Sequence, residues 1–136
     1  MSTEKTKELI HTYYDAFNKR DMEKFFSLMT EDVAHDVNQR DRQMGKAEFK
    51  KFMEVSFDHC KERCFDIVIM TNEKGDHAAA EFMCEGTYLK TAQGFPEARK
   101  QQYKLPVGAF FEIKGGKISR VTTYYNMSEW IEKVKK

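Results

Sequence analysis

The chain lacks an apolar run near the roughly 18 residues that a membrane-spanning helix needs. Its opening, MSTEKTKELIHTYY, carries acids and lacks the apolar core of a signal peptide, so secretion is not expected. It also lacks charge of one sign. Lys and Arg total 23 against 22 Asp and Glu, leaving a net +1. With no long basic run, that balance gives no strong field for nucleic acid or for an anionic membrane. Cysteine is scarce: Cys60, Cys64 and Cys84 cannot all pair within one chain, which points to reduced thiols and a cytoplasmic setting. The segment DHCKERC (58–64) places Cys60 and Cys64 a helical turn apart, but no second Cys/His pair lies near enough to complete a four-ligand zinc site. Gly-rich phosphate loops, a dinucleotide fingerprint and a serine-nucleophile motif are also missing. No metal and no cofactor are expected.

Aromatic and sulfur side chains are plentiful, with eleven Phe, six Tyr and eight Met. Aromatics bury large areas and Met fills irregular gaps, which suits a core around an apolar cavity as well as an ordinary aromatic core. Three helices are expected first. In 4–18, Leu9, Ile10, Tyr13, Tyr14 and Phe17 share one face. After the turn NKRD, Asp21 can cap a second helix carrying Met22, Phe25, Phe26 and Met29. A strand over about 33–38 follows. From Ala47 to about Lys61 a third helix presents Phe49, Phe52, Met53, Phe57 and Cys60.

Beyond it the period changes from helical to two. FDIVIM (65–70) reads as a strand, and NEKGD as a turn with Gly75 at positive φ. In 77–90, Ala78, Ala80, Phe82, Cys84, Gly86 and Tyr88 form the more apolar face, directed inward. In 101–114 the inner set is Tyr103, Leu105, Val107, Ala109, Phe111 and Ile113. Pro106 and Gly108 on the other face predict a bend, bulge or edge. KGGK (114–117) signals a hairpin, strand 117–126 follows, and a short C-terminal helix is capped by Ser128. Without linker, repeat or low-complexity tract, residues 1–136 read as one α+β domain: a curved antiparallel sheet packed on three N-terminal helices, forming a cone whose mouth suits a small molecule.

This order, with YYDAFNKRDMEKFFSLMTEDVAHD at the start and VGAFFEIKGGKISRVTTYYN near the end, resembles the nuclear transport factor 2-like superfamily. That group includes bacterial ketosteroid isomerases, SnoaL-like polyketide cyclases and limonene epoxide hydrolase. The segments HDVNQ, GTYL, FPEAR, LPVGAFFEI and VTTYYN are similar to proteins related to ketosteroid isomerase. The resemblance implies cofactor-free proton transfer on a small apolar, oxygen-bearing molecule, by an isomerase or cyclase, and a homodimer formed through the outer sheet face. Ketosteroid isomerase combines an Asp base with an oxyanion hole made by a Tyr and a protonated Asp. By the DAFN anchor the Tyr falls on Tyr13. The base position falls on Val37, one past Asp36. The second Asp falls near Gly108 or Ala109, where no acid stands. Where SnoaL-like cyclases often carry a carboxylate, this chain has Asn126, whose amide cannot act as a general acid or base.

Alternation on the first strand puts Val33, His35, Val37 and Gln39 on one face and Ala34, Asp36 and Asn38 on the other. The valines mark the first face as inner. His35, with an ordinary pKa of about 6.5, is then the candidate base or shuttle. Tyr13 is the candidate oxyanion donor, and Asp36 a third catalytic candidate if a bulge turns it inward. Gln39 and Asn38 would orient substrate or water, and Tyr88, Tyr103, Phe111 and Tyr125 would line the pocket. The rival expectation is a non-catalytic ligand-binding or dimerisation module of the same fold.

Overall fold

The computed structural model describes residues 2–136. Helix α1 (Thr3–Lys19) starts where the Ser2 side chain accepts from the Lys5 N–H. It stops at Arg20, whose left-handed backbone (φ 59°) returns its N–H to Ala16 and Phe17. Asp21 caps α2 (Met22–Ser27) by accepting from the Lys24 N–H, as the sequence predicts. Strand β1 (Met29–Val37), a two-residue strand β2 (Gln43–Met44) and α3 (Lys46–His59) follow. Strands β3 (Cys60–Thr71), β4 (His77–Tyr88), β5 (Gln102–Lys114) and β6 (Lys117–Tyr125) run in succession into α4 (Met127–Lys135).

The six strands form one curved sheet in the order β2-β1-β6-β5-β4-β3. The expected α+β architecture stands, with corrections. β1 pairs with β6 in parallel, so the sheet is mixed rather than antiparallel throughout. β3 begins at Cys60, five residues earlier than predicted, because α3 ends at His59 and period-two structure starts at once. α4 is capped by Asn126, which accepts from the Glu129 N–H, and Ser128 lies inside the helix. Pro106 is on a central strand. It faces Met83 of β4, while pairing with β6 begins only at Val107, so the proline occupies a stretch with a neighbour on one side. The turn over Gly115 and Gly116 has φ of 58° and 78°, matching the hairpin signal.

Two apolar clusters fill the concave side. The larger joins α1, α2 and α3 to the sheet through Tyr13, Tyr14, Phe25, Phe49, Phe82 and Phe111. The smaller gathers Tyr88, Tyr103, Leu105, Trp130 and Val134 beneath α4. β3 carries Cys60 against the smaller cluster and Cys64 inside the larger, and between them, on the same face, stands Glu62. No helix among the described residues is long and apolar enough to cross a membrane.

Candidate functional site

The inner face brings a carboxylate and a phenol together through a glycine. Glu62 pairs with Gly86 across β3 and β4, and Gly86 pairs with Tyr103 across β4 and β5. All three therefore lie in one row of the sheet, with the glycine between. Because Gly86 has no side chain, the Tyr103 ring lies across it, and its hydroxyl donates to Glu62 Oε2 at 2.5 Å. A Cβ at position 86 would stand 2.5 Å from Tyr103 Cζ and 2.9 Å from Glu62 Cγ. Gly86→Ala is accordingly expected to cost about 1–3 kcal/mol by overpacking. In a Tyr103→Ala background that cost should shrink, because the ring is gone and only the flexible Glu62 side chain still has to shift, and urea unfolding of the double-mutant cycle measures this coupling.

Burial pushes the Glu62 carboxyl above the ordinary carboxylate range; contacts with Tyr103 and Cys84 and the charge of Arg20 partly offset the rise. Burial and the neighbouring Glu62 charge push the Tyr103 phenol well up, so it stays a proton donor. Burial also raises the Cys60 thiol to about 11, which keeps it protonated. The pair lines a cavity of about 760 Å³ between the C-terminal end of α1 and β3–β5. Tyr125 feels the Glu62 charge as well, after burial, and its phenol is raised.

Of the residues singled out from sequence, Tyr103 lies in this cavity and Tyr125 near it. His35 does point inward, opposite Val121, but it is packed rather than open. Its ring stacks on Phe49 at 3.8 Å and meets Phe52 edge-on at 4.8 Å, and Nδ1 lies 3.4 Å from Gln43 Oε1. Burial lowers its pKa from 6.5, against smaller opposing contributions from Gln43 and Asp36, so it is neutral at pH 7. Tyr13 is wedged between Phe25 at 4.6 Å and Phe111 at 5.3 Å, and burial raises its phenol. Phe111 is fully buried core. Tyr88 holds the loop after β4: its hydroxyl donates to the Pro96 carbonyl and accepts from the Ala92 N–H.

β1 ends at Val37, so Gln39 is not on the inner strand face. It sits exposed on a turn with φ 62°. Asn38, with φ 48°, accepts from the Tyr125 N–H, and its buried Nδ2 has no partner.

Asp36 lies on the outer face. Arg42 grips it with two bonds of 2.8 and 2.9 Å, and the Thr122 hydroxyl donates to it at 2.7 Å. The Arg42 bonds hold its pKa below 3.8 despite partial burial. The stability it supplies is therefore present above its ordinary value and lost as pH falls through the depressed one. Asp36→Ala is expected to cost about 1–2 kcal/mol, the Arg42 partner being largely exposed, and to leave ligand binding in the cavity unchanged. Denaturation at pH 7 and a ligand titration read the two effects separately.

Glu62 is hidden in the sequence because helical spacing reads on through Cys60 and Lys61, whereas α3 ends at His59 and β3 begins at Cys60. The signal was present: Cys60, Glu62 and Cys64 already alternate, and Gly86 interrupts an otherwise substituted inner face of β4.

Comparison with known proteins agrees with the architecture. The model of the SnoaL-like domain matches residues 10–121. A solved structure from Xanthomonas campestris pv. campestris, provisionally named a polyketide cyclase, superposes with a TM-score of 0.96 at 41% identity, covering 98% of this chain and 99% of that one. A second protein of the same provisional name, from Pseudomonas putida KT2440, gives 0.93 at 51% identity, with 98% of each chain covered. A phenazine biosynthesis-related protein from Pseudomonas aeruginosa shares the fold at a TM-score of 0.78 and 18% identity, over 97% of this chain and 86% of that one. None of the curated proteins matches. With the family model spanning most of its length, the chain belongs to the SnoaL-like domain family of the nuclear transport factor 2-like superfamily.

Proposed function

We propose that the protein is a cofactor-free enzyme that moves a proton next to a carbonyl in a small, largely apolar substrate, as an isomerase or a cyclase. The observation that carries this reading is the Glu62–Tyr103 pair in the cavity. A carboxylate with a raised pKa is matched to proton abstraction near neutrality. Glu62 takes the proton α to the carbonyl, so the C–H bond breaks and an O–H bond forms on the carboxyl. The electron pair moves onto the carbonyl oxygen as an enolate. A protonated Glu62 accepts less strongly, which frees the Tyr103 hydroxyl to donate to that oxygen. Return of the proton at another carbon completes an isomerisation. Alternatively, the enolate carbon attacks an electrophilic carbonyl and closes a ring: the new C–C bond forms as the C=O π pair moves onto oxygen, and that alkoxide takes the proton back from Glu62. The provisional names of the Xanthomonas and Pseudomonas putida relatives, both above 40% identity, support the cyclase form.

We assign the protein to the cytoplasm, in keeping with its free cysteines, and read it as a homodimer through the outer sheet face. There Val68, Met70, Phe110 and Tyr124 are all more than 40% exposed, apolar side chains that an isologous contact would cover. Cell fractionation tests the compartment.

A panel of ketones in deuterated buffer tests the reaction by NMR. Wild-type protein is expected to speed α-proton exchange of at least one, and Tyr103→Phe to slow it by roughly 10²–10³-fold through loss of an oxyanion donor. Native mass spectrometry of the same sample reports the dimer and any small molecule carried through purification.

The second reading, a non-catalytic binding or dimerisation module, is favoured by the aromatic fill around Tyr13. A bound small molecule or a dimer with no exchange of any ketone would establish it instead.

A further inference from the structure

We infer that the substrate is an organic anion whose carboxylate is held by Arg20 while its carbonyl meets Tyr103. This rests on the proposed function of the same cavity and adds the chemical class of the substrate. Arg20 lines that cavity together with Glu62 and Tyr103. It is a placed residue: its backbone is the left-handed cap of α1, and its guanidinium carbon sits over the Phe57 ring, 3.9 Å from the centroid. The N–H edge of a guanidinium is the part that binds a carboxylate by two parallel bonds.

That edge has no protein acceptor. Among the described residues no side-chain hydrogen bond or salt bridge ends on Arg20. Of the other rim cations, Lys61 and Lys104 are flexible ammonium groups, and the second guanidinium is already answered. Arg63 pairs with Glu85 at 2.8 Å. Glu62 is near enough to favour the charged form of Arg20 but its carboxylate accepts from Tyr103. The cavity carries four cations, Arg20, Lys61, Arg63 and Lys104, against Glu62 and Glu85. In the unliganded cavity water can solvate the Arg20 guanidinium, and an anion entering the cavity can take that place. A substrate carboxylate supplies the missing partner, and it orients the molecule so that its carbonyl end reaches the Glu62–Tyr103 pair.

Calorimetric titration with 3-hydroxybenzoate and 3-hydroxybenzamide tests this. The two share a ring and a phenol that stands in for the enol, and they differ in charge. The wild type should bind the benzoate about tenfold more tightly or better, as a charge-assisted bidentate contact implies. Arg20→Gln should reduce the preference to about twofold or less, and Arg20→Lys should restore part of it, since the charge returns without the fork. Tyr103→Phe should weaken both compounds alike. Unfolding curves of each variant exclude loss of fold as the cause. Equal binding of the two compounds, still dependent on Tyr103, overturns the anion inference and leaves the proton-transfer reading standing. A preference that survives Arg20→Gln overturns it too, since the anion then sits elsewhere. If neither compound binds in the millimolar range, the inference falls together with the reading it rests on.

Discussion

Phe25→Ala is expected to cost about 3–5 kcal/mol, a large part of the roughly 5–15 kcal/mol that holds a domain of this size together. Phe25 is fully buried, and four rings surround it: Tyr13 at 4.6 Å, Phe26 at 5.1 Å, Phe49 at 5.8 Å and Phe17 at 6.5 Å. Those rings come from α1, α2 and α3, so the cavity left behind would open at the junction of three helices. α2 has six residues and cannot persist by its own hydrogen bonds; packing of Phe25 and Phe26 keeps it in place. The midpoint of urea unfolding measures the loss. Tyr13→Phe is the informative companion. Its ring packing would survive, and no side-chain hydrogen bond to its hydroxyl is found among the described residues, so stability should change by less than about 1 kcal/mol. If the same substitution abolished turnover, Tyr13 would be a reacting group and the cavity at Glu62 would not be the centre of the chemistry.

These two positions also show what the sequence makes legible. Helical spacing identifies the apolar faces of α1 and α2, and the Asp21 cap and the Gly115–Gly116 turn follow from local chemistry alone. Alternation correctly separates His35, inside, from Asp36, outside. Non-local pairing is harder to read. Nothing near β1 states that it will lie parallel to β6, about 85 residues later, with Asp36 beside Thr122. A residue type also does not announce its function. Tyr88 reads as pocket wall and proves to be a loop anchor, because its partners lie in a segment without periodicity. His35 has the right chemistry on the right face, but Phe49 of a different element closes over it. The Glu62–Tyr103 pair escaped for the opposite reason. Each residue looks ordinary alone, and only the sheet register, with Gly86 between them, makes them neighbours.

Glu62→Gln should separate activity from stability. Turnover of any accepted ketone is expected to fall by roughly 10²–10⁴-fold, because an amide cannot take the proton that Glu62 removes. Stability is expected to move the other way. Burial raises the folded-state pKa of Glu62 above its ordinary 4.5, so the folded protein binds a proton more readily than the unfolded chain does. Between the ordinary and the raised value, the folded state holds more protons and stability falls as pH rises. The favourable contribution is complete below the ordinary value and is lost once pH passes the raised one. Above that point the wild type keeps a partly desolvated carboxylate, whereas Gln presents a neutral oxygen that can still accept from Tyr103. The variant should therefore match the wild type in acid and equal or exceed it at neutral pH, with a flatter dependence of unfolding midpoint on pH between them. A structural Glu62 would give a different result: loss of stability at every pH, with turnover falling only as far as the folded fraction does.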